Sequence, residues 1–406
     1  MSDIRFILTK YKEGILSFAL NNEKNCFETV SYTKNSNDTV VINIGDIFVA
    51  KVLNVVPNLN AAFIYYAPKK KGYLSLDNNY TPILLNRKYD GRILAGDEII
   101  VQLEKEAVRT KEPVFTMNLS LVGKYCVVTN GNLYKGVSKK CSKLQREQLL
   151  KAIPQDINYG VVIRTNAAEL IPNEDCEDNT LSPVTNECIY LNSIMDKILT
   201  EGIHRTCYSR IWQSPPAYLS NLLGDTQIGN YSKIITDDEV LYNELIDFAS
   251  AYMPQILSVI VLYKDDSYPL QKLYGVDTKM QELLSKKVWL KSGAYIVIEK
   301  TEAMYVIDVN SGKNITRKNY EQYISSINAE AAVEIMRQIR LRNLTGIIII
   351  DFINMENKDE EARLLKELKS LAKQDRILTT VVDITPLGLV EITRKKTTKA
   401  LNEQLL

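Results

Sequence analysis

The chain has 406 residues, of which 45% are hydrophobic and 24% charged, and its formal net charge is +1. That length allows two to four domains with substantial cores, and that composition excludes a disordered chain and a global polycation. Contacts with a nucleic acid must therefore come from local patches. No run of eighteen apolar residues occurs and the N-terminus lacks a signal-peptide pattern, so no membrane span and a soluble, cytoplasmic protein are expected. Cys26, Cys126, Cys141, Cys176, Cys188 and Cys207 show no Cys-x-x-Cys spacing and read as reduced thiols. His204 is the single histidine, which excludes His-rich zinc sites; it is read as structural.

Residues 1–38 alternate apolar and polar (Ile4, Phe6, Leu8; Leu16, Phe18, Leu20) and predict a pair of strands. Such a start cannot close a core alone, so it requires a distant partner. Residues 40–122 predict a compact all-β unit, with strands at 47–56, 61–67, 72–76, 98–105 and 114–122. Five short strands suggest a barrel of the OB type. On the second of them Phe63 and Tyr65 share a face, and Tyr73 follows the Lys69-Lys-Lys71 turn. Aromatics beside lysines suit single-stranded nucleic acid, through stacking and phosphate attraction. The same Phe63 could instead fill the barrel core, with the lysines forming a solvated turn.

Residues 126–209 predict a mixed α/β stretch, with helices near 144–152 and 188–201, a strand at 159–164 and an exposed loop over 170–186. Short strands and helices follow over 210–290. The last unit, 291–406, predicts strands at 295–300, 304–309, 346–353 and 377–384, and helices near 319–342, 360–373 and 388–405. On the first of these helices Ile324, Ile327, Ala331, Ile335 and Ile339 form one apolar face. Arg337, Arg340 and Arg342 complement the dipole of its last turns. The segment Arg394-Lys-Lys-Thr-Thr-Lys399 is either a solvated face or a grip on a polyanion backbone.

Two aspartates carry the most chemistry. Asp308 closes one apolar run and Asp351 another, and the helical pattern lies between them. A strand–helix–strand unit of this kind predicts parallel neighbours with a right-handed crossover. Both carboxylates then sit near the carboxyl ends of adjacent strands, where open α/β sheets place active sites. Paired carboxylates repel unless a cation lies between them, and oxygen ligands without histidine or thiolate suit magnesium or manganese. Each Asp alone could equally cap a helix or start a turn; the pair points to a metal-dependent phosphoryl-transfer site.

The segments Ala61-Ala-Phe63, Val288-Trp-Leu-Lys-Ser-Gly-Ala-Tyr-Ile-Val-Ile298, Thr301-Glu-Ala303, Val306-Ile-Asp-Val-Asn-Ser-Gly312, Ile349-Ile-Asp-Phe-Ile353 and Leu387-Gly-Leu-Val-Glu-Ile-Thr-Arg-Lys395 resemble the ribonuclease E/G endoribonucleases. The likeness runs over nearly the whole chain and is densest over 288–399. It implies an α/β multidomain architecture, α+β overall. An RNase H-like subdomain would be split between 1–38 and 210–285. An S1-type OB-fold (39–125) and a 5′-end sensor region (126–209) would be inserted into it. A DNase I-like catalytic subdomain (286–406) would follow.

The resemblance also implies roles. Asp308 and Asp351 would hold one magnesium ion, with Asn310 hydrogen-bonded in the site. Phe63, Tyr73 and Lys111 would contact RNA, Lys139 would stand as a positive residue near the end sensor, and Arg164 with Thr165 would bind a 5′-monophosphate. The family's Cys-Pro-x-Cys zinc motif has no counterpart after Lys395, so zinc is not expected and the oligomeric state is left open. Leu378 stands where a basic residue is frequent, and Asn354 where an Asp is common.

The expected function is magnesium-dependent cleavage of single-stranded RNA in RNA processing and messenger decay, leaving 5′-phosphate and 3′-hydroxyl ends. A non-catalytic RNA-binding regulator with a degenerate form of this fold is the alternative, and a DNA-directed nuclease fits the metal chemistry but not the OB-fold with its end sensor.

Overall fold

A computed structural model of the chain describes residues 3–34, 42–76, 80–107, 111–171, 181–223, 231–265, 267–312, 320–355 and 357–405. The chain divides into two compact units. One comprises Met1–Asn35, Asn230–Glu244 and Val259–Leu406; the other comprises Ser36–Gly229 and Leu245–Ser258.

The chain begins in the first unit with β1 (Ile4–Tyr11), β2 (Gly14–Asn21) and β3 (Cys26–Lys34), an antiparallel meander. Phe6, Ile7 and Leu8 are consecutively buried, so β1 is covered on both faces and is an interior strand. Its second neighbour comes from far along the sequence and is introduced below.

The second unit opens with β4 (Ile47–Val56), β5 (Ala61–Ala67), β6 (Lys70–Ser75), β7 (Glu98–Lys105) and β8 (Val114–Thr116). They pair in the order β4-β5-β6-β8-β7, and β7 pairs again with β4, closing a five-stranded barrel of the OB type. Its interior holds Val52, Ile64, Leu74, Ile99 and Phe115. The strand expected over 114–122 is broken. Thr116 ends the barrel, and β9 (Ser120–Val122) joins β10 (Cys126–Thr129), β11 (Lys135–Val137) and β12 (Gly160–Ile163) in a separate sheet.

Helices α1 (Lys143–Leu150) and α2 (Ser182–Gly202) contribute Leu149, Val184, Cys188 and Leu191 to the core shared with that sheet. The exposed loop expected over 170–186 is cut short, because α2 starts at Ser182. Pro183 sits in its first turn, where a missing N–H costs nothing, so the proline marks a helix start and not a loop. Residues 172–180 of that expectation lie outside the described residues. β13 (Arg210–Trp212) adds to the barrel at β4, and α3 (Ala217–Leu223) follows.

β14 (Tyr231–Thr236) is the missing neighbour: it pairs in parallel with β1, Phe6 opposite Ile234 and Ile7 opposite Ile235. After α4 (Glu239–Tyr252), β15 (Ile260–Leu262) completes the sheet in the order β15-β14-β1-β2-β3. α5 (Leu270–Leu273) and α6 (Val276–Leu284) pack Leu270, Val276 and Met280 against Ile7, Phe18 and Phe27.

The remaining elements are β16 (Lys287–Trp289), β17 (Tyr295–Lys300), β18 (Met304–Asn310), α7 (Tyr320–Leu341), β19 (Gly346–Asp351), α8 (Lys358–Lys373), β20 (Thr379–Ile384), β21 (Leu389–Arg394) and α9 (Leu401–Gln404). The sheet order is β16-β17-β18-β19-β21-β20; among the described residues β18 and β19 pair in parallel and the other neighbours are antiparallel. Ile296, Ile307, Ile348, Ile350 and Ile392 point to one side and form a core with Ile327, Ala331 and Ile335 of α7 and Leu364 and Leu368 of α8. The helix expected over 388–405 is corrected by β21. Val390, Ile392 and Arg394 are buried and alternate with less buried neighbours, which is a strand period; only Leu401–Gln404 is helical.

Among the described residues, no helix is long and apolar enough to cross a membrane.

Candidate active site

The parallel pair β18 and β19 places Asp308 directly opposite Asp351. Opposed residues of neighbouring strands lie about 4.8 Å apart and face the same way. Their chain neighbours Ile307, Val309 and Ile350 are buried, so both carboxylates emerge on the sheet face away from α7 and α8, and both are exposed. Asn310, two residues on and therefore on the same face, donates its side-chain N–H to Asp308 at 2.6 Å.

Three contacts fix this geometry. Asn328 of α7, fully buried, donates to the Ile353 carbonyl (2.7 Å) and accepts from the Ile353 N–H (3.1 Å), clamping the backbone two residues past Asp351. Glu330 accepts from the Lys291 N–H at 2.7 Å and so holds the β16–β17 turn. Gly312 has φ +73°, and a Cβ there would lie 2.7 Å from the Gly293 carbonyl oxygen. Only glycine lets the chain leave the Asp308–Asn310 segment across that turn. Nothing in the sequence distinguished Asn328 from the polar side of an amphipathic helix.

The donor set suits a hard divalent cation: two carboxylates side by side and an amide, on a face open to solvent, with no imidazole or thiolate in register with them. No group of three or more His, Cys, Asp or Glu side chains converges as a metal cluster among the described residues. The carboxylates brought together here are therefore the pair Asp308 and Asp351, with the Asn310 amide beside them.

The basic segment following β21 is partly corrected. Arg394 is 4% exposed and grips Asp375, itself 2% exposed, with Nε 2.7 Å from Oδ2. Arg394 also donates to Asn343 Oδ1 (2.7 Å) and to the Leu344 carbonyl (3.1 Å), while Asn343 holds Thr398 and Lys399. Burial opposes the Asp375 charge, yet Arg394, Thr379 and the Ile377 N–H hold its pKa below the usual carboxylate value. Arg394 is thus an internal tie, and Lys395, Lys396 and Thr397 are the exposed part. The helix-end arginines are corrected too. Arg342 is 7% exposed, donates to Gln338, and burial pushes its pKa down to about 10. Arg337 donates to Glu334 and to the Phe27 carbonyl. Arg337 thus ties α7 to β3, and Arg342 is buried at the helix end, so neither merely faces the dipole.

On the barrel, Phe63 and Tyr73 are direct partners on β5 and β6, with ring centroids 6.0 Å apart at 80°. Both are half-buried, whereas their neighbours Ile64 and Leu74 fill the core, so the reading of Phe63 as a core residue does not hold. Tyr65 opposite Lys71, and Lys51 opposite Tyr65, extend the same outer face. Lys111 is exposed and precedes Pro113, whose carbonyl accepts from the Tyr73 N–H at 2.8 Å.

Arg164 and Thr165 follow β12. Arg164 Nη1 donates to the Gly123 carbonyl and, at 3.0 Å, to that of Leu223. The Gly123 bend is itself held by Glu187, which accepts from the N–H groups of Lys124, Tyr125 and Cys126 at 2.6–2.8 Å. Thr165 and Ser138 hydroxyls lie 3.2 Å apart, and exposed Lys139 comes next to Ser138. Arg164 is therefore also a structural tie, holding the Gly123 and Leu223 carbonyls. Leu378 is 67% exposed.

Residues 120–397 match the model of the Ribonuclease E/G family. The chain is 32% identical over 376 residues to Ribonuclease G of Salmonella typhimurium, covering 89% of this chain and 74% of that protein. It is 32% identical over 375 residues to Ribonuclease G of Haemophilus influenzae, with the same coverage. Ribonuclease E of a Nostoc species is 28% identical over 361 residues, covering 87% of this chain and 51% of that protein.

Proposed function

Because the chain belongs to the ribonuclease E/G family, we propose that it is an endoribonuclease that cuts single-stranded RNA at the Asp308–Asp351 pair, acting in RNA processing and messenger decay. The observation that carries this reading is the register of the two carboxylates: opposed and solvent-facing, on the parallel strand pair β18 and β19. Asp308 and Asp351 would hold magnesium, or manganese in its place. The bound ion would lower the pKa of a water molecule and offset charge on the scissile phosphate. Asn310 keeps the Asp308 carboxylate turned toward the shared face. Asn328 keeps Asp351 from sliding along its strand. Attack of water on phosphorus with loss of the 3′ oxygen leaves a 5′-phosphate and a 3′-hydroxyl, and no side-chain nucleophile is required. Asn354 in place of the family's common Asp lowers the negative charge around the site.

We assign the sheet built on β1 and β14 to the RNase H-like part of the family fold and the sheet of β16–β21 to the DNase I-like part. Phe63 and Tyr73 serve as stacking platforms, with Lys111 and Lys139 as phosphate contacts. Arg164 and Thr165 serve as a sensor of a 5′-monophosphate, to which a guanidinium and a hydroxyl can donate together. A labelled single-stranded RNA and the matching DNA, each with and without magnesium, test the reading. Cleavage of RNA alone, only with the ion, is expected. Binding without cleavage would convert the protein to a regulator, and equal cutting of DNA would remove the RNA assignment.

A further inference from the structure

The carboxylate face of the catalytic sheet carries a second feature. Edge strand β16 puts Lys287 and Trp289 on that face, and β17 adds Tyr295. Trp289 pairs with Tyr295, which pairs with Asn310; Lys287 pairs with Val297, which pairs with Asp308. Direct partners share a side, so rings and carboxylates look the same way. The two ring centroids are 5.2 Å apart at 60°. The Lys287 ammonium lies 3.9 Å from the indole centroid and 3.6 Å from the phenol centroid. The indole residue is 64% exposed, while Ile296 and Ile298 supply the core from the opposite side of β17.

We propose that Lys287, Trp289 and Tyr295 form a base-stacking subsite that seats a nucleotide of single-stranded RNA beside the cleavage point; the proposal rests on the endoribonuclease reading. A face bearing two carboxylates repels a polyanion, so productive binding there needs an adjoining attraction that does not depend on the metal. An exposed indole stacks on any base, and a cation held against the rings adds phosphate attraction. Trp289 is two strands over from Asp308 and level with Asn310, which places their Cα atoms roughly 12 Å apart from strand spacing and rise. A short stretch of unstacked single strand spans that distance.

The chain has two tryptophans, Trp212 and Trp289. In an Asp308→Asn, Trp212→Phe protein, indole fluorescence reports on Trp289 alone while a single-stranded oligouridylate stays uncut. Saturable quenching is expected. Trp289→Ala should weaken Kd at least about fivefold, and Trp289→Phe should retain part of the affinity. One abasic nucleotide moved along the strand should weaken binding at a single position, and Trp289→Ala should abolish that position's effect. No quenching, together with unchanged Kd in Trp289→Ala, would overturn the subsite. So would a lowered melting temperature with unchanged affinity per folded molecule, the signature of a pair that only knits the sheet edge. Quenching in this variant, together with no RNA cleavage by the wild-type protein, would retain the subsite and remove the endoribonuclease reading instead.

Discussion

At the scale of single residues, the chemistry rests on groups whose replacement separates function from folding. Asp308→Asn and Asp351→Asn change volume very little on an exposed face, so melting temperature should stay near that of the wild type. Cleavage should fall on the order of a hundredfold or more, as several kcal/mol of metal-based stabilisation disappears. Near-normal turnover at saturating magnesium in either variant would displace the site. Phe63 lies outside the barrel core, so Phe63→Ala should weaken RNA binding by about 1–3 kcal/mol and leave thermal stability largely intact; calorimetry and a binding titration on the same sample check both halves. Asp375→Asn should do the opposite. It strands the buried Arg394 guanidinium and should cost about 3–5 kcal/mol of stability. The folded pKa of Asp375 is depressed. The stability it contributes is therefore fully present above the ordinary aspartate range and is lost as pH falls through the lower, folded value. Acid titrations of wild type and variant should converge in that range.

At the scale of elements, α7 organises the site from behind. It is the crossover between the two carboxylate strands, and Asn328 ties its middle turns to the end of β19. Asn328→Ala should leave the part-buried Ile353 N–H and C=O without their side-chain partner, costing at most about 1–3 kcal/mol each, and should lower turnover more than substrate affinity, because Asp351 loses its fixed position. Steady-state kinetics at several RNA concentrations separate the two. In the second unit, the end of β12 has a double duty. Arg164 braces the Gly123 bend and Thr165 faces Ser138. Thr165→Val should reduce any preference for 5′-monophosphorylated over 5′-hydroxyl RNA, and equal wild-type rates on both ends would remove the sensor role. Part of this was legible before the structure: Asp308 and Asp351 announced themselves by strand-end position, and Asn310 through the family resemblance. What was not legible was which polar groups turn inward. Arg394 and Arg342 have charged neighbours in sequence, and only the register of β21 and the packing of α7 bury them.

At the scale of the whole molecule, a formal charge of +1 means that RNA affinity is assembled from a few local cations. The dependence of log Kd on log salt should be shallow, about 0.7 per phosphate neutralised on a single strand, and consistent with no more than a handful of contacts. The barrel and the catalytic sheet could be read from strand spacing and apolar runs. The pairing of β1 with β14 could not be read from any local pattern, since none names a partner roughly two hundred residues away; only the family resemblance pointed to 210–285, the region that contains β14. That pairing also sets a timetable. A ribosome adds roughly 5–20 residues per second, so the edge of β1 that receives β14 stays open for about ten to forty seconds after it is made. During that wait the intervening barrel can close on its own strands, while β1 presents a bare row of N–H and C=O groups to any other nascent chain. Newly made protein, and not the finished enzyme, is therefore the form most exposed to mispairing, and slowing translation beyond the barrel should raise the fraction lost to aggregation.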